Sequence, residues 1–384
     1  MTTHREIVSV LLEAASQGES LVLATVVRIT GSSYGGVGAR MICLGDGSRV
    51  GLVSGGCLES DLAEHARRVY ATENAEVVSY DTRDDDDVPW GLGLGCNGLI
   101  EVLLEPLSPQ QAGDVAGLID RALAADSPSV LATVIRSHGS EIGEPRIGAH
   151  ALFDGSEIIS TGDWGTRSAL IDATHFVLPA LAAGRRGVVQ EIGSAEVAFE
   201  VITPAVRLVI CGAGQDAAPV ARLGSQLGWD VTVVDHRPLT DAHSARFPGA
   251  RVVECADALH LADVLWPNQR FAAVVMSHHL ARDRDYLHAL LKSDVSYLGV
   301  LGPRARTDRM LTELLAREGS LPHLDDRFFS PVGLDIGGEG PDAIALSIIS
   351  QISAVTSRRT GGHLRDRRAA LHVAAPAEVA TGSI

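Results

Sequence analysis

The stretch Arg207-Leu208-Val209-Ile210-Cys211-Gly212-Ala213-Gly214-Gln215-Asp216-Ala217 is a short apolar run, then two closely spaced glycines, then the opening of a helical pattern. A strand, turn and helix in that order is the setting in which a G-x-G-x-x-G/A run binds phosphate. The helix start presents unpaired amides, and the second glycine lets a diphosphate approach them. Gly212, Gly214, Gln215 and Ala217 are therefore candidate contacts for NAD(P) or another nucleotide. The next strand ends in Asp235, 23 positions after Gly212, where a dinucleotide site places the acceptor for a ribose 2′-hydroxyl. Arg237 follows it closely and suits an extra phosphate.

Toward the C-terminus, apolar runs alternate with helical patterns, the signature of an α/β doubly wound parallel sheet. Strands are predicted at 207–211, 230–234, 251–254, 271–276 and 296–301, and helices over about 216–227, 283–292, 303–317 and 341–357. Residues 205–357 thus read as a Rossmann-like nucleotide- or phosphate-binding domain, and 358–384 as a mobile tail with little apolar periodicity. The fourth strand delivers Met276-Ser277-His278-His279 to the edge where open sheets bind ligands, which makes His278 a candidate ligand or proton donor. The fifth leads into Gly302-Pro303-Arg304-Ala305-Arg306, and glycine followed by arginine at a helix start suits an anion, so Gly302 and Arg304 join the candidates.

Toward the N-terminus the chain duplicates itself. Residues 22–32 (VLATVVRITGS) match 130–140 (VLATVIRSHGS) at eight of eleven positions. The match continues from Gly38-Ala39-Arg40-Met41 to Gly148-Ala149-His150-Ala151, and Gly98 to Pro106 corresponds in pattern to Glu196 to Pro204. The copies span about 20–106 and 128–204 within a mixed α+β domain of residues 1–204, bridged by an amphipathic helix around Gln110 to Ala125. Such a duplication is an internal control, since residues that the shared fold requires persist in both copies. Cysteine does not persist. Cys57, in Ser54-Gly55-Gly56-Cys57-Leu58-Glu59, is set opposite Trp164 by this alignment, and Cys96 lies in a glycine-rich loop, Gly91-Leu92-Gly93-Leu94-Gly95-Cys96. Leu62, Ala66 and Val69 recur at helical spacing after Leu58, which puts Cys57 at or near a helix N-terminus. Both thiols are candidate reactive groups. Cys43, Cys211 and Cys255 sit in apolar strand-like segments and read as core.

The whole chain, 384 residues with 46% apolar content, is too long for one ordinary domain. Its formal charge of −16 argues against a nucleic-acid surface, which needs clustered Lys and Arg. No apolar stretch reaches the roughly 20 residues of a membrane helix, and five sparse cysteines suit a reducing cytoplasm. A homodimer is the expectation for a soluble oligomer.

The motifs quoted above, with Asp235-His236-Arg237-Pro238, Tyr297-Leu298-Gly299-Val300-Leu301-Gly302 and Gly333-Leu334-Asp335-Ile336-Gly337, resemble those of the XdhC/CoxI family of xanthine dehydrogenase accessory proteins from about residue 10 to 355. The resemblance implies a maturation chaperone rather than an enzyme. Its cargo would be the molybdenum cofactor (molybdopterin), protected while a cysteine desulfurase replaces an oxo ligand by sulfur, then inserted into an apo xanthine dehydrogenase-type molybdenum hydroxylase. Cys57 and Cys96 would contact the metal. The chain departs from the family pattern at Gln215, Asn97, Ser277-His278-His279 and Pro303-Arg304-Ala305. The Gly212 loop and Asp235 taken alone also suit an NAD(P)-dependent oxidoreductase, with His278 the one nearby acid/base candidate. The acidic charge and duplicated half suit a non-catalytic protein of assembly or regulation.

Overall fold

The computed structural model describes residues 3–31, 35–81, 98–138, 145–154, 156–164, 187–261, 265, 270–322, 324 and 326–366. These fall into two compact units that divide between Pro204 and Ala205. Cys96 with its glycine-rich loop and the tail beyond 366 lie outside the described residues.

The first unit opens with α1 (His4–Gln17), where the sequence reading placed no element. Thr3 and Glu6 form a reciprocal capping box, and Ile7, Val8, Leu11 and Ala14 make one buried stripe. Then follow β1 (Leu21–Gly31), β2 (Arg40–Leu44), β3 (Arg49–Gly51), α2 (Glu59–Thr72), β4 (Glu76–Asp81) and β5 (Gly98–Leu107). The second copy, among the described residues, contains α3 (Pro109–Ala124), β6 (Ser129–Ser137), β7 (His150–Phe153), β8 (Ile158–Thr161), β9 (Gly187–Ile192) and β10 (Ala195–Ile202). Sheet orders are β3-β2-β1-β5-β4 and β8-β7-β6-β10-β9, the same arrangement twice. The bridging helix is thus the first element of copy two, packed against its counterpart α1, and each repeat begins earlier than its strands suggest.

The repeat extends to an irregularity. Pairing shifts between Val26 and Arg28 opposite β5, and between Glu196 and Val197 opposite β6, so that Val27 and Ile135 are each the extra residue of a bulge. Those two residues meet Leu103 and Ala198 in a small core shared by both copies. Beside it, Glu101 accepts from Arg136 (2.6 Å) and pairs with Arg28 (2.8 Å), and Glu196 pairs with the same two arginines. Two further buried pairs cross between the copies: Arg40 with Glu200, and His150 with Glu105 at 3.0 Å.

Two features of the sequence alignment are corrected by this register. The pattern match set Glu105 beside Thr203, whereas Leu23 pairs with Glu105 and its counterpart Leu131 pairs with Glu200. Runs of Leu and Val fit several alignments equally well; the carboxylates fix the true one. Likewise Gly51 lies across from Met41 and Ser160 across from Ala151, which sets Trp164 level with Gly55. The counterpart of Cys57 then lies outside the described residues. Gly38 explains one shared motif. It has a left-handed φ of 86°, and a side chain there would run into the Glu200 carboxylate that Arg40 holds.

The second unit is a six-stranded sheet in the order β13-β12-β11-β14-β15-β16, formed by β11 (Arg207–Cys211), β12 (Asp230–Asp235), β13 (Arg251–Glu254), β14 (Phe271–Val275), β15 (Val295–Val300) and β16 (Phe328–Phe329). Every pairing is parallel. Among the described residues its α-helices are α4 (Ala217–Gln226), the short α5 (Asp241–Arg246), α6 (Leu280–Leu291), α7 (Arg304–Glu318) and α8 (Pro341–Thr356). Leu208 and Ile210 of β11 join a core with α4 and α8, while Val209 and Cys211 join another with α6 and α7. Both sheet faces are covered, which is why the central strands β11 and β14 read as nearly unbroken apolar runs. Gln351 of α8 accepts from Tyr297 Oη (2.6 Å) and the Gly333 amide (2.9 Å), locking that helix onto this sheet. Among the described residues no helix is long and apolar enough to cross a membrane.

Candidate functional site

Cys57 sits in the link from β3 to α2, directly before Leu58, the residue that caps α2. Ser54 and Glu59 tie the two ends of this link together. Glu59 Oε1 accepts from the amides of Val53 (3.2 Å) and Ser54 (2.8 Å), and Oε2 accepts from Ser54 Oγ (2.6 Å). Ser54 Oγ in turn accepts from the Leu58 amide at 3.1 Å, and Arg49 donates to the Glu59 carbonyl at 2.9 Å. Ser54, Leu58 and Glu59 are buried, whereas Gly55, Gly56 and Cys57 are exposed. The brace closes the loop at its base and leaves the thiol at the tip. Burial opposes ionisation of Glu59, but the hydrogen bonds from Ser54 and the two amides outweigh it and hold its carboxyl below the ordinary value. Ser54 and Glu59 were absent from the sequence candidates; the visible signal was a serine and a glutamate flanking the glycines at the two ends of one turn. Cys43 and Cys211 are buried, and burial pushes both thiols up, as befits core cysteines.

The candidates of the second unit gather at the C-terminal ends of its strands. The loops after β11 and β14 flank the point where the strand order reverses, the usual place for a ligand in an open sheet. Gly212 (φ 125°) packs so closely on the other loop that a Cβ would lie 2.6 Å from Ser277 Cα. Gly214 is half-buried, Gln215 exposed, and Ala217 begins α4 in the core. His278 has a left-handed φ of 61°, uncommon for a residue other than glycine. Its Nε2 lies 2.7 Å from Asp216 Oδ2, so a hydrogen bond joins the two loops. His279 caps α6 by accepting from the Arg282 amide. Ser277 Oγ donates to the buried Asp283 at 2.5 Å, and Arg306 lies 2.7 Å from the other Asp283 oxygen. Gly302 (φ 121°) precedes α7, whose first residue, Arg304, is exposed.

Asp235 differs from a free ribose acceptor. Its side chain is 1% exposed and both oxygens are taken. Oδ1 accepts from the Arg237 amide and Nε, and Oδ2 accepts from Arg237 Nη2 and the Ala213 amide, all within 2.9 Å. Burial opposes its charge, but the Arg237 guanidinium and the two amides hold the carboxyl far below the usual range. Arg237, read as a phosphate contact, is thus spent in part on Asp235. Burial also lowers His236, against the attraction of Asp235. Among the described residues no group of three or more His, Cys, Asp or Glu is arranged to hold a metal ion.

Two family descriptions match this chain: the XdhC and CoxI family over residues 14–81 and the XdhC Rossmann domain over residues 208–352. A Bacillus subtilis protein, named as a probable subunit of xanthine dehydrogenase, is 32% identical over 88% of this chain and 94% of its own length. This chain belongs to the XdhC and CoxI family. The Escherichia coli molybdenum cofactor insertion chaperone PaoD is 25% identical over 92% of this chain and 88% of its own. The crystal structure of a xanthine dehydrogenase from Bacillus halodurans superposes with a TM-score of 0.69 at 29% identity, covering 93% of this chain and 98% of that one. The XdhC fold, a duplicated antiparallel half followed by a Rossmann-like sheet, therefore carries both the exposed thiol loop and the glycine loop.

Proposed function

We propose that this chain is a molybdenum cofactor chaperone. It binds molybdopterin cofactor as cargo, holds it during sulfuration by a cysteine desulfurase, and inserts it into an apo xanthine dehydrogenase-type hydroxylase. The observation that carries this reading is the exposed Cys57 on a loop braced by Ser54 and Glu59, in a chain related to a named cofactor insertion chaperone. Sulfur is a soft ligand suited to molybdenum, and a braced loop fixes the thiol at little entropic cost on binding. Cys96 supplies a second thiol, and the Gly212 loop is a separate candidate site for a phosphate or nucleotide. An NAD(P)-dependent oxidoreductase fits less well, because the residue that would bind the ribose, Asp235, already has both oxygens occupied.

The test is to mix the purified protein with molybdopterin cofactor, separate bound from free by gel filtration, and assay pterin and molybdenum in the protein peak. Co-elution in the parent, lost in Cys57→Ala and Cys96→Ala, is expected. Equal co-elution in the variants overturns the thiol roles, and none in the parent overturns the chaperone.

A further inference from the structure

The glycine loop of the second unit contains a feature that a phosphate site does not ordinarily carry. Asp216 follows Gly214 and Gln215 immediately before α4, and its Oδ1 lies where a Cβ on Gly214 would be 2.5 Å away. The carboxylate is therefore folded over the glycine whose bareness is supposed to admit a diphosphate. Asp216 makes no capping hydrogen bond to α4, so helix capping does not account for its position. Its partner is His278 from the loop after β14, at 2.7 Å. That histidine holds a left-handed backbone conformation, which costs free energy for a residue with a Cβ and persists only where the surroundings impose it.

We propose that Asp216 and His278 form a latch that keeps the phosphate loop shut. The Asp216 carboxylate stands in the place of a ligand's phosphate, and His278 grips whichever anion is present. An anionic ligand such as a diphosphate binds by displacing Asp216 from His278. Asp216 is then a specificity-determining residue: it excludes anions too weak to break the pair, and its charge opposes binding until it swings away. The proposal rests on the Gly212 loop being a phosphate site, and it is independent of the molybdenum cargo. The saturated Asp235 gives the same picture from the neighbouring strand, since both places where a dinucleotide would bind are occupied by the chain's own groups.

Inorganic pyrophosphate, titrated into the full chain by calorimetry, tests the latch without any molybdenum cofactor. Asp216→Asn keeps the size of the side chain and removes its charge; it is expected to bind pyrophosphate at least tenfold more tightly than the parent. Adding His278→Asn, a residue that tolerates the left-handed backbone, is expected to abolish that gain. Equal affinity in parent and Asp216→Asn, or no binding by either, overturns the latch. A gain that survives in the double variant overturns the role of His278. Because cofactor co-elution is read separately, a chain that carries cargo yet shows no gain loses the latch alone, and one that gains affinity yet carries no cargo loses the chaperone alone.

Discussion

Glu59 follows an exposed thiol by two residues, yet its charge faces the protein. Beside Cys57 in the sequence, it looks like an anion that would repel a second negative charge; in the fold, its oxygens are consumed by Ser54 Oγ and the Val53 and Ser54 amides. The residue acts on the loop rather than on the ligand. Glu59→Ala strands two buried amides and the Ser54 hydroxyl, and an unsatisfied buried donor costs about 1–3 kcal/mol. We expect urea unfolding to show a loss of about 2 kcal/mol or more, most of it restored by Glu59→Gln, whose carbonyl can still accept from the amides. An alanine variant as stable as the parent would show that the brace contributes nothing. Asp235 teaches the same lesson in the other unit. Spacing identified an acidic residue at the end of the second Rossmann strand, but only side-chain direction shows it closed off by Arg237.

At the scale of elements, what was legible follows from the physics of each signal. The central strands of the parallel sheet are buried on both faces, so β11 and β12 stand out as apolar runs almost to the residue. The repeat of β1 in β6 is legible because both central strands face similar neighbours. By contrast β4 and β9 are edge strands with mostly half-buried or exposed residues, which leaves no run to read. The buried stripe of α1 spans only Ile7 to Ala14 and follows a polar start, Thr3-His4-Arg5-Glu6, that carries no apolar periodicity. Contacts between the copies were not legible, since nothing local states that Arg40 meets Glu200. That pair carries a prediction. Burial opposes the charge of Glu200, yet Arg40 and His4 hold its carboxyl down at about 2, from an ordinary 4.5. A depressed carboxyl contributes stability that is fully present above its unfolded value and is lost as pH falls toward the folded one. Between about pH 5 and pH 2 the parent should lose up to about 3 kcal/mol through this residue. Glu200→Gln, less stable at pH 7, should show a correspondingly shallower loss; parallel pH profiles would exclude the pair as a source of acid sensitivity.

Across the whole molecule, each unit has the means to be stable by itself. The first is organised about a near two-fold relation between its copies. Val27 and Ile135, Leu103 and Ala198, and the two Arg–Glu sets occupy matching places. Chemistry breaks this symmetry, since cysteine occurs in the first copy and nowhere in 128–204. A duplicated scaffold can bear such asymmetry because the shared core, not the thiol loop, holds the copies together. The second unit has its own two cores, one on each face of the parallel sheet. Leu103 is fully buried at the centre of the first unit, and Leu→Ala at such a site costs about 2–5 kcal/mol through lost burial and the cavity left behind. Ile210, equally buried in the second, should cost about 0.5–1.5 kcal/mol on replacement by valine. Scanning calorimetry of the parent should therefore resolve two transitions. Leu103→Ala should lower one by several degrees and leave the other in place, and Ile210→Val should move only the second, by less. If instead one transition is seen and both substitutions shift it in proportion to their costs, the two units unfold as a single cooperative body, and the stability of the thiol loop depends on the Rossmann-like sheet as much as on its own copy.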